Sequence, residues 1–116
     1  MALAKLDDIL ALADIRPPLQ VYIKAWKDHV YLADPTSDMR DEWEIFVNQH
    51  KDKPAKWRAK LASLLLCDEQ GNRIAATDDA IAKLGKKSAA AMVEIWEHGL
   101  KLFGVTDDEV EELAKN

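Results

Sequence analysis

The sequence lacks several features that mark secreted proteins, membrane proteins and many enzymes. A single cysteine, Cys67, rules out an internal disulfide and favours a reducing compartment. No run approaches the ~18 apolar residues of a membrane span, and Asp7 and Asp8 stand where a signal peptide needs its apolar stretch. The four glycines are scattered and form no phosphate-binding loop. We therefore expect a cytoplasmic protein that does not associate with a membrane.

An excess of basic charge is also absent, and the net charge of −5 argues against a nucleic-acid surface. The three histidines share no zinc-binding spacing with cysteines or carboxylates. Asp78 and Asp79 look like a carboxylate pair, but adjacent helical residues point about 100° apart, so charge at a helix start explains them better than a metal site. A structural role suits Cys67 better than a nucleophilic one, because it follows a run of leucines. We expect no enzyme activity, cofactor or metal, and favour a binding or assembly role.

The strongest pattern in the chain is an apolar helix that begins at Pro54, a residue suited to the first turn. Its apolar residues recur at helical spacing and are widened into a broad face by Ala62 and Leu66. This helix is predicted to run through Cys67 and to end by the turn at Gly71. The residues of the central stripe are Trp57, Leu61, Leu64 and Leu65.

Capping residues predict where the other helices of the body begin. Thr36 or Ser37 starts one helix, Thr77 starts a short helix that closes at Gly85, and Ser88 starts a long helix that ends at Gly104. Gly99, inside the long helix, is expected to permit the close approach of another helix. The last helix, from Asp107 to Ala114, has a capping box of Thr106 and Glu109 and a hydrophobic staple of Val105 and Val110.

Two further elements precede this body. Residues 3–13 form a short amphipathic helix that stops before Arg16-Pro17-Pro18 and either closes over the core or waits for a partner. Residues 19–26 and 30–32 are β-branched and aromatic and predict a hairpin. Val21 and Ile23 are expected to face inward, whereas Tyr22 and Trp26 either face outward or cover the end of the core. After Gly71, Ile74 is expected to tuck inward.

These patterns together predict a single, mainly α domain over residues 1–116. It has about five to six helices and one short β-hairpin at about Leu19–Leu32. Residues 1–18 supply the first helix and a proline link, residues 19–33 the hairpin, and residues 37–116 the helical body.

The order of elements from residue 19 to 116 resembles the tail assembly chaperones of long-tailed bacteriophages. That family tends to have an extended segment ending in Trp before a second strand, then an Ala/Leu-rich helix running into an acidic residue, a Gly turn and a hydrophobic residue. An acidic helix start, a long helix and a Val-Thr-acidic cap follow. The matching pieces here are Val21–Trp26, Val30–Leu32, Leu61–Asp68, Gly71, Ile74, Asp78-Asp79, Lys86–Ser88, Ala89–Met92 and Val105–Asn116.

The resemblance implies a protein that is not an enzyme. It would bind the tape measure protein and keep it soluble, help to recruit tail tube subunits, and be absent from the finished virion. The alternative is a small acidic helical adaptor or regulatory protein that binds a folded partner. Self-association is also expected, because the apolar edges of both end helices exceed the needs of one small core. The candidate partner-binding residues are Tyr22, Trp26, Tyr31, Leu6, Leu10, Val110 and Leu113.

The end of the chain carries one more expectation from the resemblance. In this family ribosomes often slip back one base near the end of the gene and make a second, longer protein. Ala114-Lys115-Asn116 can be encoded as GCA AAA AAC, which contains a slippery run. The alternative is that Lys115-Asn116 is only a frayed polar tail.

Overall fold

The predicted mixture of helices with a small β element is confirmed by a computed structural model, which describes residues 5–115. Within that range the chain forms six helices and a three-stranded antiparallel sheet of order β1-β2-β3. The elements in chain order are α1 Leu6–Leu10, β1 Leu19–Ile23, β2 Asp28–Leu32, α2 Ser37–Gln49, α3 Pro54–Leu65, β3 Leu66–Cys67, α4 Asp78–Leu84, α5 Ala89–Phe103 and α6 Asp107–Lys115.

Helix α3 is the centre of the core, as its apolar stripe predicts. It packs against α2, α4 and α5, and its residues Trp57, Leu61, Leu64 and Leu65 are all buried. The approach to α5 is close because position 99 has no side chain. A Cβ atom at Gly99 would overlap the Leu61 side chain, so the expected role of this glycine is confirmed.

Aromatic side chains join α2 and α5 on one side of this core. The indole of Trp43, fully buried, stacks on the Phe103 ring with 5.3 Å between centroids and lies tilted against Trp96. Its Nε1–H donates to the Trp57 carbonyl oxygen at 3.2 Å, and Trp57 Nε1–H donates to the His50 carbonyl oxygen at 2.7 Å. Both buried indoles therefore keep a hydrogen-bond partner.

The capping predictions are confirmed at four helices. The hydroxyls of Thr36, Thr77, Ser88 and Thr106 each accept a hydrogen bond from the backbone N–H three residues later. The Thr106 hydroxyl also donates to a carboxylate oxygen of Glu109 at 3.3 Å. The four bonds from backbone N–H groups occupy donors that have no partner within their own helix.

The end of α3 differs from the prediction. Leu66 and Cys67 leave the helix and pair with Leu32 and Tyr31 of β2, which makes the predicted two-stranded hairpin a three-stranded sheet. The Ala33 N–H continues the pairing with a bond of 2.8 Å to the Leu65 carbonyl oxygen. The reason is that β2 has a free edge, whose backbone groups the end of this segment satisfies better as a strand than as a helix.

The inward position predicted for Ile74 is wrong, because its side chain is 64% exposed. Its neighbour Arg73 is also exposed, but its guanidinium reaches back to α3 and donates to the Ser63 carbonyl oxygen at 3.2 Å and to the Ser63 hydroxyl at 3.1 Å. In an extended segment successive side chains alternate, so Ile74 lies on the side away from this contact and faces solvent.

Helix α1 is also shorter than predicted and does not close over the core. It covers Leu6–Leu10, and none of its residues is buried. Ala13, at the end of the predicted helix, is not helical, and Leu3 lies outside the described residues. Five residues are too few for a helix that is stable alone. Packing against the core would have to stabilise α1, but none of its residues packs there.

Candidate partner-binding surfaces

The N-terminal arm, defined here as residues 5–15, carries the most exposed apolar side chains of the described chain. Leu6 and Leu10, both predicted as partner-binding residues, are 67% and 72% exposed. Ile9, Leu12 and Ile15 of the same arm are at least half exposed. The arm is therefore an apolar surface that the body of the protein does not cover.

A contact between Arg16 and Asp34 anchors the base of this arm to the body. The backbone N–H of Arg16 donates to Asp34 Oδ2 at 2.9 Å, and its guanidinium lies 3.4 Å from Asp34 Oδ1. The backbone hydrogen bond is the main cause that lowers the pKa of Asp34. Pro17 and Pro18 follow at once and stiffen the link. The radius of gyration is 15.4 Å, above the roughly 13 Å of a compact chain of this length.

Tyr22 lies at a second surface, the hairpin groove, which runs between the hairpin and the first turns of α5. The groove has a volume of about 730 Å³ and is lined on the hairpin side by Tyr22 and Ala25. Ala89, Ala90 and Val93 line it on the α5 side. Tyr22 is exposed, which is the outward of its two expected positions, and its ring meets the His29 ring edge-on at 5.1 Å. The result is an open strip of small and apolar side chains.

Glu94 fixes the two sides of the hairpin groove together. Its Oε1 accepts a hydrogen bond from the Lys24 N–H at 2.7 Å, and its Oε2 accepts one from the Ala25 N–H at 3.0 Å. These two bonds lower the pKa of the Glu94 carboxyl, with smaller contributions from the charges of Lys24 and His98. The sequence contains no signal for this contact, because the partners lie 69 and 70 residues away.

The other hairpin aromatics do not form an exposed site. Trp26 is half-buried and packs against the core cluster, so it covers the core and does not face outward. Tyr31 is also half-buried, and it lies between Gln20 of β1 and Cys67 of β3 in the sheet. The formation of β3 explains this position, because it makes β2 the central strand.

The apolar edge of α6 is covered, whereas the prediction placed it among the partner-binding residues. Val110 is only 2% exposed, and Leu113 is half-buried against the core. Helix α6 folds back on α2, where Asn48 Nδ2 donates to the Leu113 carbonyl oxygen at 3.1 Å. The staple between Val105 and Val110 sets this direction, since both side chains are buried.

A third surface, the basic-rimmed groove, was not predicted. It lies where α4 faces α2 and the first half of α3, and has a volume of about 480 Å³. Its wall includes Phe46, whose ring stacks on His50 with 4.0 Å between centroids. The remaining apolar lining comes from Ala55, Ala59, Ile81 and Ala82, and the basic rim from Lys56 and Lys86.

Residues 5–115 hold no group of three or more His, Cys, Asp or Glu side chains that could bind a metal ion. The Cys67 thiol is buried, and burial together with the charge of Asp68 raises its pKa. Since the thiolate is the nucleophilic form, a raised pKa makes this thiol a poor nucleophile. Over the same residues no helix is long and apolar enough to span a membrane.

Comparison of the chain with protein-family models, with curated proteins and with solved structures found no match. A functional conclusion therefore depends on the surfaces described above and on the resemblance in the order of elements.

Proposed function

We propose that this protein is a tail assembly chaperone of a long-tailed bacteriophage. It binds the tape measure protein in the cytoplasm of the bacterial host, keeps that protein soluble, helps to recruit tail tube subunits, and leaves before the virion is complete. The observation that carries the proposal is the hairpin groove, an open apolar strip on an acidic helical body.

The lining of the hairpin groove suits an amphipathic helix. Ala25, Ala89 and Ala90 are small, so the backbone of a helix in the groove approaches closely, as in other helix-in-groove complexes. Tyr22 and Val93 are exposed at the same groove and supply larger apolar contacts. A tape measure protein is long and helical in the family that this chain resembles, and presents stripes of this kind.

The charge of the protein supports the second part of the function. A net charge of −5 disfavours association between complexes whose apolar stripes are covered. Helix α6 carries five of the acidic side chains, and its apolar edge is turned toward α2. Its outer face is thus a charged surface that stays hydrated when the groove is occupied.

Coexpression with segments of the tape measure protein tests the proposal. We expect wild-type protein to keep such segments in the soluble fraction and to copurify with them. The variant Ala90→Asp with Val93→Asp places two carboxylates in the groove and should abolish copurification. Ile45→Asp is the matched control, because Ile45 is 51% exposed and is not part of the groove.

Two results would contradict this function. One is a tape measure segment that stays insoluble with wild-type protein, and the other is equal capture by the groove variant and the Ile45 control. Copurification of a folded host regulatory protein from infected cells would support the adaptor function in its place.

We also propose that a longer form of the protein is made by ribosomal slippage near Ala114-Lys115-Asn116. Helix α6 reaches Lys115, so a further domain would follow a capped helix that is packed on the body. Reading the gene decides this point. The proposal fails without a slippery run at these codons, or without an open frame that continues in the shifted register.

A further inference from the structure

The N-terminal arm is a second exposed apolar surface, separate from the hairpin groove. Ten large apolar side chains are exposed in the described chain, and five of them lie in this arm. Helix α1 has only five residues, well short of the ~12–15 that a helix needs to be stable alone in water. The helical form of the arm therefore depends on a surface that covers its leucines.

The charge at the rim of each groove indicates which of the two grooves suits this segment. The arm contains three aspartates and one lysine, and is therefore acidic. The rim of the hairpin groove has Glu94 and Glu97 against Lys24, which repels an acidic segment. The basic-rimmed groove has Lys56 and Lys86 against Asp78.

The surroundings of the basic-rimmed groove strengthen this contrast. Residues 51–60, which lead into and form the first half of α3, contain five basic residues and one acidic residue. They form a basic segment in a chain of net charge −5. Such a segment attracts an acidic partner over about 8–10 Å at moderate salt.

The acidic helix α6 does not fit this groove. Its residue Val110 is buried, and its apolar edge packs against α2. The arm, by contrast, has both acidic side chains and an uncovered row of apolar ones. Among the described residues it is the acidic segment whose apolar face is free.

We propose that the N-terminal arm of one copy of this protein seats in the basic-rimmed groove of a second copy. Leu6 and Leu10 enter the apolar lining beside Phe46 and Ile81, and the aspartates of the arm face the lysines of the rim. No residue of the arm lines the groove of its own chain, and the Arg16–Asp34 contact holds the base of the arm to the body. We therefore place the binding site in a second copy. This interface does not depend on the proposed function, since it forms with no other protein present.

Sedimentation of the purified full chain over a range of concentrations tests the arm. We expect wild-type protein to associate reversibly. Leu6→Ser with Leu10→Ser should weaken association at least about a hundredfold, the loss expected for two buried leucines. Neither side chain is buried in the single chain, so the variant keeps the fold. Ile45→Ser with Ile74→Ser is the matched control, because both residues are exposed outside the arm and the grooves.

Charge reversal tests the groove. Lys56→Glu with Lys86→Glu should weaken association about tenfold, and Asp7→Lys with Asp8→Lys in the arm should do the same. A mixture of the two variants should associate more strongly than either alone, because the arm of one then matches the groove of the other. Lys24→Glu, at the hairpin groove, serves as the control and should leave association unchanged.

Crosslinking shows whether the arm binds the groove of a second copy or the groove of its own chain. Leu10→Cys with Ala82→Cys places one thiol in the arm and one in the groove lining, and Cys67 is buried. Oxidation should give dimers and larger species on a non-reducing gel. Crosslinks within one chain only, monomers at every concentration, or association that the arm variant leaves intact would each overturn the proposal.

Discussion

Leu61 of α3 packs directly over Gly99 of α5, and a Cβ atom at position 99 would overlap the Leu61 side chain. Helices α3 and α5 approach this closely because residue 99 has no side chain. The residues pair across the centre of the core, where Leu61 is fully buried.

Gly99→Ala is therefore expected to destabilise the protein, although alanine favours a helix by ~1 kcal/mol. Overpacking in a core costs about 1–3 kcal/mol, and the upper part of that range applies because Leu61 is fully buried and has little room to move. The net loss in urea unfolding should therefore be about 1–2 kcal/mol. Gly85→Ala is the control, because its Cβ would meet no atom closer than 3.4 Å. An unchanged or higher stability of Gly99→Ala would mean that α3 and α5 are not in direct contact.

Leu65→Ala should destabilise the protein by about 2–5 kcal/mol, since Leu65 is fully buried and its removal leaves a cavity. Thr106→Ala should cost only about 1 kcal/mol, the loss of one helix cap. Urea unfolding of both variants provides the measurement. A larger loss for the cap variant would show that α3 is not the centre of the core.

Glu94→Gln should reduce stability at neutral pH, because the amide replaces a carboxylate that accepts two backbone hydrogen bonds. The pKa of Glu94 is lowered in the folded protein. Its contribution is therefore fully present above the unfolded pKa of about 4.3 and is lost as the pH falls through the folded pKa. The difference between wild type and variant should shrink in acid, as measured by thermal unfolding from pH 7 to 3. A difference that is constant over this range, or equal for Glu97→Gln, would contradict the assignment.

Asp34→Ala should loosen the base of the N-terminal arm without unfolding the body. The variant removes the acceptor of the Arg16 N–H, and a bond to a charged group is worth about 1.5 kcal/mol. Amide hydrogen exchange at Arg16 should accelerate about tenfold, while exchange in α3 stays unchanged. Asp14→Ala, within the arm, is the control, and equal exchange at Arg16 in both variants would rule out the anchor.

Much of the helical body can be predicted from the sequence because its signals are local. The caps Thr36, Thr77 and Thr106 act on backbone groups three residues away, and the αL position of Gly104 closes α5 within one turn. The stripe of α3 is local in the same sense, because helical spacing alone places Trp57 and Leu61 on one face.

The candidate surfaces were less predictable. Leu6, Leu10 and Tyr22 are exposed, which is one of the two outcomes expected for them, but Trp26 and Val110 are covered by other elements. Whether an apolar side chain is free depends on what the remaining chain places against it. No local pattern records that.

Local patterns predicted the capped starts of α2, α4, α5 and α6 and the position of the central helix α3, because these features depend on contacts across three to eight residues. Long-range packing is what makes Leu66 and Cys67 a strand, brings Glu94 to the hairpin backbone, and covers the apolar edge of α6. In each case the deciding partner lies tens of residues away, as with Tyr31 for Cys67 and Lys24 for Glu94. A backbone or carboxylate group bonds to whichever partner the packed core brings within about 3 Å, and that choice is made only when the helices have come together.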